Sequence, residues 1–259
     1  MNDFIVVAGP CALMNYPDRM HRLAHELKEA GATHFRAGIW KGGVFPPPAN
    51  SLSWGMGEFG IPLLEAIHEQ EQIEVMTEVR NAAQVAMLDC CSVVWTAARI
   101  MQDYQDLRQI AHICGDSKKA MALKRHPGAT IRDWRGAIEH CFDAGGNDLS
   151  LWVVERGTVS ISPTEMTRWR PDMLAITEIK EDYGHRIKTI FDVSHAVGKR
   201  EWVIPMARAA VAASVEGLMV EVMDIPDDSP SDARQAIDIS TFRGLMSQVK
   251  QLLVNKEAA

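Results

Sequence analysis

Positive charge is in deficit in this chain: 27 lysines and arginines face 34 aspartates and glutamates, a formal net charge of −7 over 259 residues. That balance gives no overall attraction for nucleic acid or an anionic membrane, so any basic site must be local. Long hydrophobic runs are missing too. No stretch approaches the roughly 18 consecutive apolar residues of a membrane span, and Met1–Pro10 lacks the cationic start and long apolar stretch of an export signal. A cytoplasmic protein without nucleic-acid or membrane partners is expected. Cysteine is scarce and odd in number, five with no repeating spacing, which excludes a disulfide framework and predicts reduced thiols. Linkers, low-complexity tracts and repeated motifs are absent as well. What is present, 47% hydrophobic and 24% charged residues, suffices for a full core.

Short apolar runs alternate with longer amphipathic stretches, and within the runs polar and apolar residues do not alternate, so they read as buried parallel strands. Strands are expected near Phe4–Ala8, His34–Arg36, Glu74–Glu78, Val93–Thr96, Ala120–Lys124, Leu149–Val154, Thr189–Asp192 and Gly217–Glu221. Helices are expected near Asp18–Ala30, Gly60–Glu71, Ala82–Leu88, Gln105–Ile113, Ile131–Ala144, Pro171–Tyr183, Glu201–Ala213 and Thr241–Val254. A strand–helix unit of about 32 residues, repeated over this length, predicts a single (β/α)8 TIM barrel covering 1–259, with no room before the first strand for a regulatory domain. Two connections, Ala37–Phe59 and Met223–Asp238, are much longer than the usual two to six residues, and both follow strands.

Barrel enzymes build their sites from the C-terminal ends of different strands. Read in that order, the strand ends carry two sets of groups. Cys11 follows strand one, His195 follows strand seven, Glu221 ends strand eight and Asp232 lies in the loop after it. Barrel closure makes those strands neighbours. One thiol, one imidazole and two carboxylates suit a divalent ion such as manganese, iron, cobalt or zinc better than magnesium or calcium, which take all-oxygen shells. The second set is cationic: Arg36, Lys41, Arg99, Lys124, Arg125 and Arg156 all end or follow strands. Arginine forks and lysine point charges together suit a small polyanion bearing carboxylate and phosphate. Ion pairing with Glu78, Glu155 and Asp192 is the plainer explanation of the same cations. Cys90, Cys91, Cys114 and Cys141 fall in or beside helices and read as packing thiols; His126 lies nearer the mouth without an assigned role.

These residues sit in longer blocks: Val7-Ala8-Gly9-Pro10-Cys11, Ala97-Ala98-Arg99, Leu123-Lys124-Arg125, Glu155-Arg156-Gly157, Ser194-His195-Ala196-Val197-Gly198-Lys199-Arg200-Glu201 and Gly217-Leu218-Met219-Val220-Glu221-Val222. Carrying them, the chain closely resembles, almost end to end, the short metal-dependent 3-deoxy-D-arabino-heptulosonate 7-phosphate (DAHP) synthases, relatives of the 3-deoxy-D-manno-octulosonate 8-phosphate (KDO8P) synthases. The resemblance implies Cys11, His195, Glu221 and Asp232 as metal ligands. It implies Arg36, Lys41, Arg99, Lys124 and Arg156 as phosphoenolpyruvate-binding residues, with Lys124, His195 and Cys11 as catalytic ones. It further implies condensation of phosphoenolpyruvate with an aldose-type aldehyde, erythrose 4-phosphate in the aromatic (shikimate) pathway, and a homo-oligomer, a tetramer in relatives.

One block departs from the resemblance. After Arg36 and Lys41 the family continues with proline, arginine, threonine and a hydroxyl residue that cradle the acceptor phosphate, whereas here Gly42-Gly43-Val44-Phe45-Pro46-Pro47-Pro48 follows. Loss of an arginine fork and hydroxyl donors removes charge-assisted hydrogen bonds. Either the acceptor aldehyde carries less phosphate, with Phe45 and Trp54 lining its pocket, or another cation substitutes. Met223-Asp224 also replaces the histidine and proline usual after the metal-binding glutamate. A catalytically silent relative that binds anions or partner subunits is the reading from a different class; the intact quartet argues against it.

Overall fold

The structure, a computed structural model, describes residues 4–42, 54–164 and 167–257. Eight parallel strands close into a barrel: β1 (Ile5–Gly9), β2 (His34–Arg36), β3 (Glu74–Val79), β4 (Cys91–Thr96), β5 (Ala120–Lys124), β6 (Leu151–Glu155), β9 (Ile187–Asp192) and β10 (Gly217–Glu221). Around them run α1 (Pro17–Ala30), α2 (Ile61–Glu71), α3 (Ala82–Ala86), α4 (Tyr104–Asp116), α5 (Ile131–Gly145), α6 (Met173–Tyr183), α8 (Val203–Ala212) and α9 (Ile239–Glu257). The first and last strands seal the barrel in register, Ile5 beside Gly217 through Gly9 beside Glu221. Among the described residues no helix is long and apolar enough to cross a membrane.

Two elements had no counterpart in the sequence reading. A hairpin, β7 (Thr158–Thr164) and β8 (Thr167–Arg170), follows β6, and a five-residue helix, α7 (Val193–Val197), follows β9 directly. The local signals elsewhere are ordinary. Thr130 and Asp133 form a capping box at the start of α5, and α1 turns Met20, Leu23, Ala24 and Leu27 inward and ends on Gly31 with φ +108°. Of the long Ala37–Phe59 connection, Gly43–Ser53 lies outside the described residues, Phe45 and the three prolines included. Its flanks are tied together, since Lys41 N–H donates to Trp54 O at 2.7 Å and Gly57 N–H to Ile39 O at 2.7 Å.

The inside of the barrel is filled by Val7, Met76, Val93, Trp95, Ala122, Trp152, Val154, Ile190 and Met219. Side chains alternate across a strand, so the residue two places beyond each of these returns to the same face. That rule selects Glu78 after Met76, Lys124 after Ala122, Arg156 after Val154, Asp192 after Ile190 and Glu221 after Met219. The apolar plug therefore carries a polar layer at the C-terminal end of the strands. Arg125 and Glu155 have the opposite parity. They turn outward and meet each other, Arg125 Nη1 donating to Glu155 at 3.3 Å and to Asp172 at 2.9 Å, which removes Arg125 from the mouth where the sequence reading put it.

At the opposite end of the barrel, His34 packs edge-on against Trp152 with ring centroids 5.2 Å apart. Burial lowers its pKa to about 4, against a weaker upward pull from Glu74. The unfolded chain protonates this ring near pH 6.5, so between pH 6.5 and about 4 the unfolded state binds the extra proton and stability falls as pH falls. The full effect of the shift is about 3 kcal/mol. His34→Gln is expected to flatten the decline of the urea midpoint between pH 6.5 and 4; equal pH profiles for both proteins would contradict it.

Candidate active site

The ends of β1, β9 and β10 bring Cys11, His195, Glu221 and Asp232 together, with one potential ligand atom from each lying within 4.8 Å of the others. The approach is made possible by Gly9, whose φ of +146° and missing side chain let β1 pass the Arg36 backbone: a Cβ there would lie 2.3 Å from Arg36 O. Cys11 Sγ donates to Asp232 Oδ2 at 3.1 Å, and His195 Nε2 stands 3.5 Å from Glu221 and 4.0 Å from Asp232. Burial first, then the Glu221 carboxylate, push the Cys11 thiol well above its ordinary range, with Lys41 and Arg36 opposing. A mixed sulfur, nitrogen and carboxylate donor set, brought this close together, fits a divalent transition ion. The Lys41 ammonium lies against Cys11 Sγ and 3.5 Å from Asp232.

Three of the four potential ligands, His195, Glu221 and Asp232, are held from behind. His195 Nδ1 meets Asp192 at 3.0 Å, which fixes the ring so that Nε2 faces the cluster. Burial alone would push the Asp192 carboxyl up, but His195, Lys124 and Arg36 hold it well below the usual carboxylate range. Glu221 accepts from Gln235 Nε2 at 2.6 Å and Arg36 Nη2 at 3.4 Å. Asp232 has a left-handed φ of +59°. Its loop is clamped by Arg200, which reaches Asp227 at 2.6 Å and Ala233 O at 2.8 Å, and by Arg19, which reaches Asp224 at 2.8 Å and Asp228 at 2.9 Å. None of these supporting contacts was read from the sequence. Asp192 was weighed only as a partner for the cations.

The cationic set divides in the structure. Arg36 is 1% exposed, stacked 5.0 Å over Trp95, and its Nε and Nη1 find no acceptor among the described residues. Lys124, also buried, donates to Asp192 at 2.8 Å and lies 5.3 Å from the centre of the same indole. Burial lowers its pKa; Asp192 opposes this and Arg36 and Arg156 add to it. Arg156 stacks 5.8 Å over Trp169 of the hairpin, and Arg99 Nη1 donates to Gly42 O at 3.4 Å. His126 belongs to this side. Its Nδ1 accepts from Gly128 N–H at 3.1 Å, and burial, then Arg156 and Arg99, lower its pKa. Of the expected anion binders, Lys41 and Arg36 also contact the opposite set, Lys41 at Cys11 and Asp232 and Arg36 at Glu221. Ion pairing thus accounts for Lys124 and Arg125, whereas Arg36 keeps two buried donors that it does not satisfy. Of the remaining thiols, Cys91, Cys114 and Cys141 are buried and Cys90 is half-buried, all distant in the sequence reading from any ligand role.

The family model described as the DAHP synthetase I family matches residues 2–255. Similar curated proteins include a phospho-2-dehydro-3-deoxyheptonate aldolase of Thermotoga maritima, 28% identical over 96% of this chain and 70% of its own. Another is a 2-dehydro-3-deoxyphosphooctonate aldolase of Bradyrhizobium diazoefficiens, 27% identical over 94% and 87%. A crystal structure of the Thermotoga maritima phospho-2-dehydro-3-deoxyheptonate aldolase superposes with a TM-score of 0.84 at 28% identity, covering 96% of this chain and 69% of that one.

Proposed function

The chain belongs to the DAHP synthetase I family, and on that premise we propose that it is a metal-dependent transferase that condenses phosphoenolpyruvate with an aldose-type aldehyde. The observation that carries the reading is Arg36. One nitrogen of its guanidinium touches Glu221 while two others are buried without an acceptor among the described residues, so a single residue joins a metal-type donor set to donors suited to an anion. Buried donors left unmade cost about 1–3 kcal/mol each, and a bidentate carboxylate or phosphate would satisfy both.

In this reading Cys11, His195, Glu221 and Asp232 hold a divalent ion of the manganese, iron, cobalt or zinc kind. When bound, that ion supplies Lewis acidity toward the aldehyde oxygen. Arg36, Arg99, Lys124 and Arg156, with Lys41 once it leaves the anionic cluster, hold phosphoenolpyruvate by its carboxylate and phosphate. Its methylene carbon forms the new bond to the aldehyde carbon, water adds at its second carbon, and inorganic phosphate leaves by carbon–oxygen cleavage. The same cations hold the phosphate group before and after departure, and fixing both reactants replaces a bimolecular encounter. Lys124, in hydrogen-bond contact with Asp192, is assigned the proton transfer. The nearest named activity is 3-deoxy-7-phosphoheptulonate synthase, and the glycine-rich departure after Lys41 leaves the acceptor as the point of difference from it.

The test is release of inorganic phosphate from phosphoenolpyruvate with manganese and a panel of erythrose 4-phosphate, arabinose 5-phosphate and erythrose. Release dependent on both ion and aldehyde is expected; none with any aldehyde would refute the reading. Arg156→Ala removes one charge-assisted contact, for which a loss of about 1.5–3 kcal/mol, or roughly 10- to 100-fold in the Kd for phosphoenolpyruvate, is expected. An unchanged Kd by calorimetry would contradict the assignment.

A further inference from the structure

We infer that Arg80, on the loop after β3, is the residue that reads the anionic end of the acceptor, standing in for the phosphate-binding arginine missing after Lys41; this rests on the condensation proposed above. Arg80 directly follows the C-terminal end of β3, two residues beyond Glu78, and its side chain is exposed at that end of the barrel. Its backbone is pinned by the first turn of α3: Arg80 N–H donates to Gln84 Oε1 at 2.7 Å, and Asn81 Oδ1 accepts from Gln84 N–H at 3.0 Å. The guanidinium then lies against Gly42, its central carbon 3.6 Å from where a Cβ at that residue would stand. Arg99 Nη1 donates to Gly42 O at 3.4 Å. Two guanidinium groups therefore meet on one glycine, and neither makes an ion pair with a carboxylate among the described residues.

Position decides what Arg80 would bind. Lys41, the neighbour of Gly42, extends its ammonium to Cys11 and Asp232, so residues 41 and 42 lead from the metal-type cluster to Arg80. A short aldose with its carbonyl at the cluster would carry its far end toward Arg80, and a terminal phosphate suits that guanidinium fork where a hydroxyl does not, while Arg99 stays with phosphoenolpyruvate. Glycine at 42 leaves Arg80 its place; a long side chain there would occupy it.

The experiment compares wild type, Arg80→Ala and Arg80→Lys with erythrose 4-phosphate and with erythrose, under saturating phosphoenolpyruvate and manganese, alongside the Kd for phosphoenolpyruvate. Arg80→Ala is expected to raise KM for erythrose 4-phosphate about 10- to 100-fold. The KM for erythrose, kcat and the phosphoenolpyruvate Kd should stay within about 3-fold, and Arg80→Lys should recover part of the loss. Equal effects on the two aldehydes, or a wild type that uses erythrose as well as its phosphate, would overturn the assignment of Arg80 while leaving the condensation standing. No turnover of either aldehyde, with arabinose 5-phosphate failing as well, would remove the condensation itself and this assignment with it.

Discussion

Replacing Cys11 by alanine is expected to lower turnover by a factor on the order of 10³ or more while leaving the barrel folded. The thiol is buried, and its sulfur hydrogen-bonds to Asp232 and Lys41; the substitution opens a space of one atom and costs about 1 kcal/mol of stability or less. What it removes is the soft donor in a set whose other members are imidazole and carboxylate. Metal affinity, read by competition with a chromophoric chelator, should fall with activity, and the thermal midpoint of the metal-free protein should barely move. His195→Ala should behave alike in metal binding, with the added loss of the Asp192 contact. Activity within tenfold of wild type in either variant would contradict the assignment of ligands.

The second large effect is expected at Lys124. Lys124→Met keeps the length and apolar stem of the side chain but deletes the ammonium that bridges Asp192 and the substrate side of the mouth. Loss of a positioned proton donor costs about 10²- to 10⁴-fold in turnover, and loss of the charge should also weaken phosphoenolpyruvate binding. Asp192 retains its hydrogen bonds from His195 N–H at 3.3 Å and the His195 ring at 3.0 Å, so it is not stranded as an unpaired buried charge. Single-turnover kinetics separate the two losses. If kcat stays near wild type and only the phosphoenolpyruvate Kd rises, Lys124 binds substrate but moves no proton.

Much of this architecture was legible because a parallel barrel writes its strands as short apolar runs at regular spacing. Observed strand bounds fall within two residues of the expected ones at β1, β2, β3, β4, β5, β6, β9 and β10. The hairpin after β6 was not, since Thr158-Val159-Ser160 and Thr167-Arg168-Trp169-Arg170 carry no apolar run and form a two-stranded sheet apart from the barrel. Helix α7 is five residues long, too short for a helical period to register. Arg125 was misplaced by treating adjacent strand-end cations as equivalent, when a strand sends neighbours to opposite faces. The contacts behind the site, Gln235 on Glu221 and Arg200 beside Asp232, link residues that no local pattern connects. Arg80 escaped notice for a related reason: its meaning depends on Gly42, 38 positions earlier, coming to lie under its guanidinium.

In the proposed function a transition ion and an enol phosphate share one barrel mouth. The most direct measurement is a crystal structure of the protein with manganese and phosphoenolpyruvate, recorded with anomalous scattering. The account predicts an anomalous peak bonded to Cys11 Sγ, His195 Nε2, Glu221 and Asp232, with the phosphoenolpyruvate carboxylate or phosphate on the two free nitrogens of Arg36. A peak away from Cys11, or phosphoenolpyruvate bound where Arg36 and Arg156 do not reach it, would contradict it.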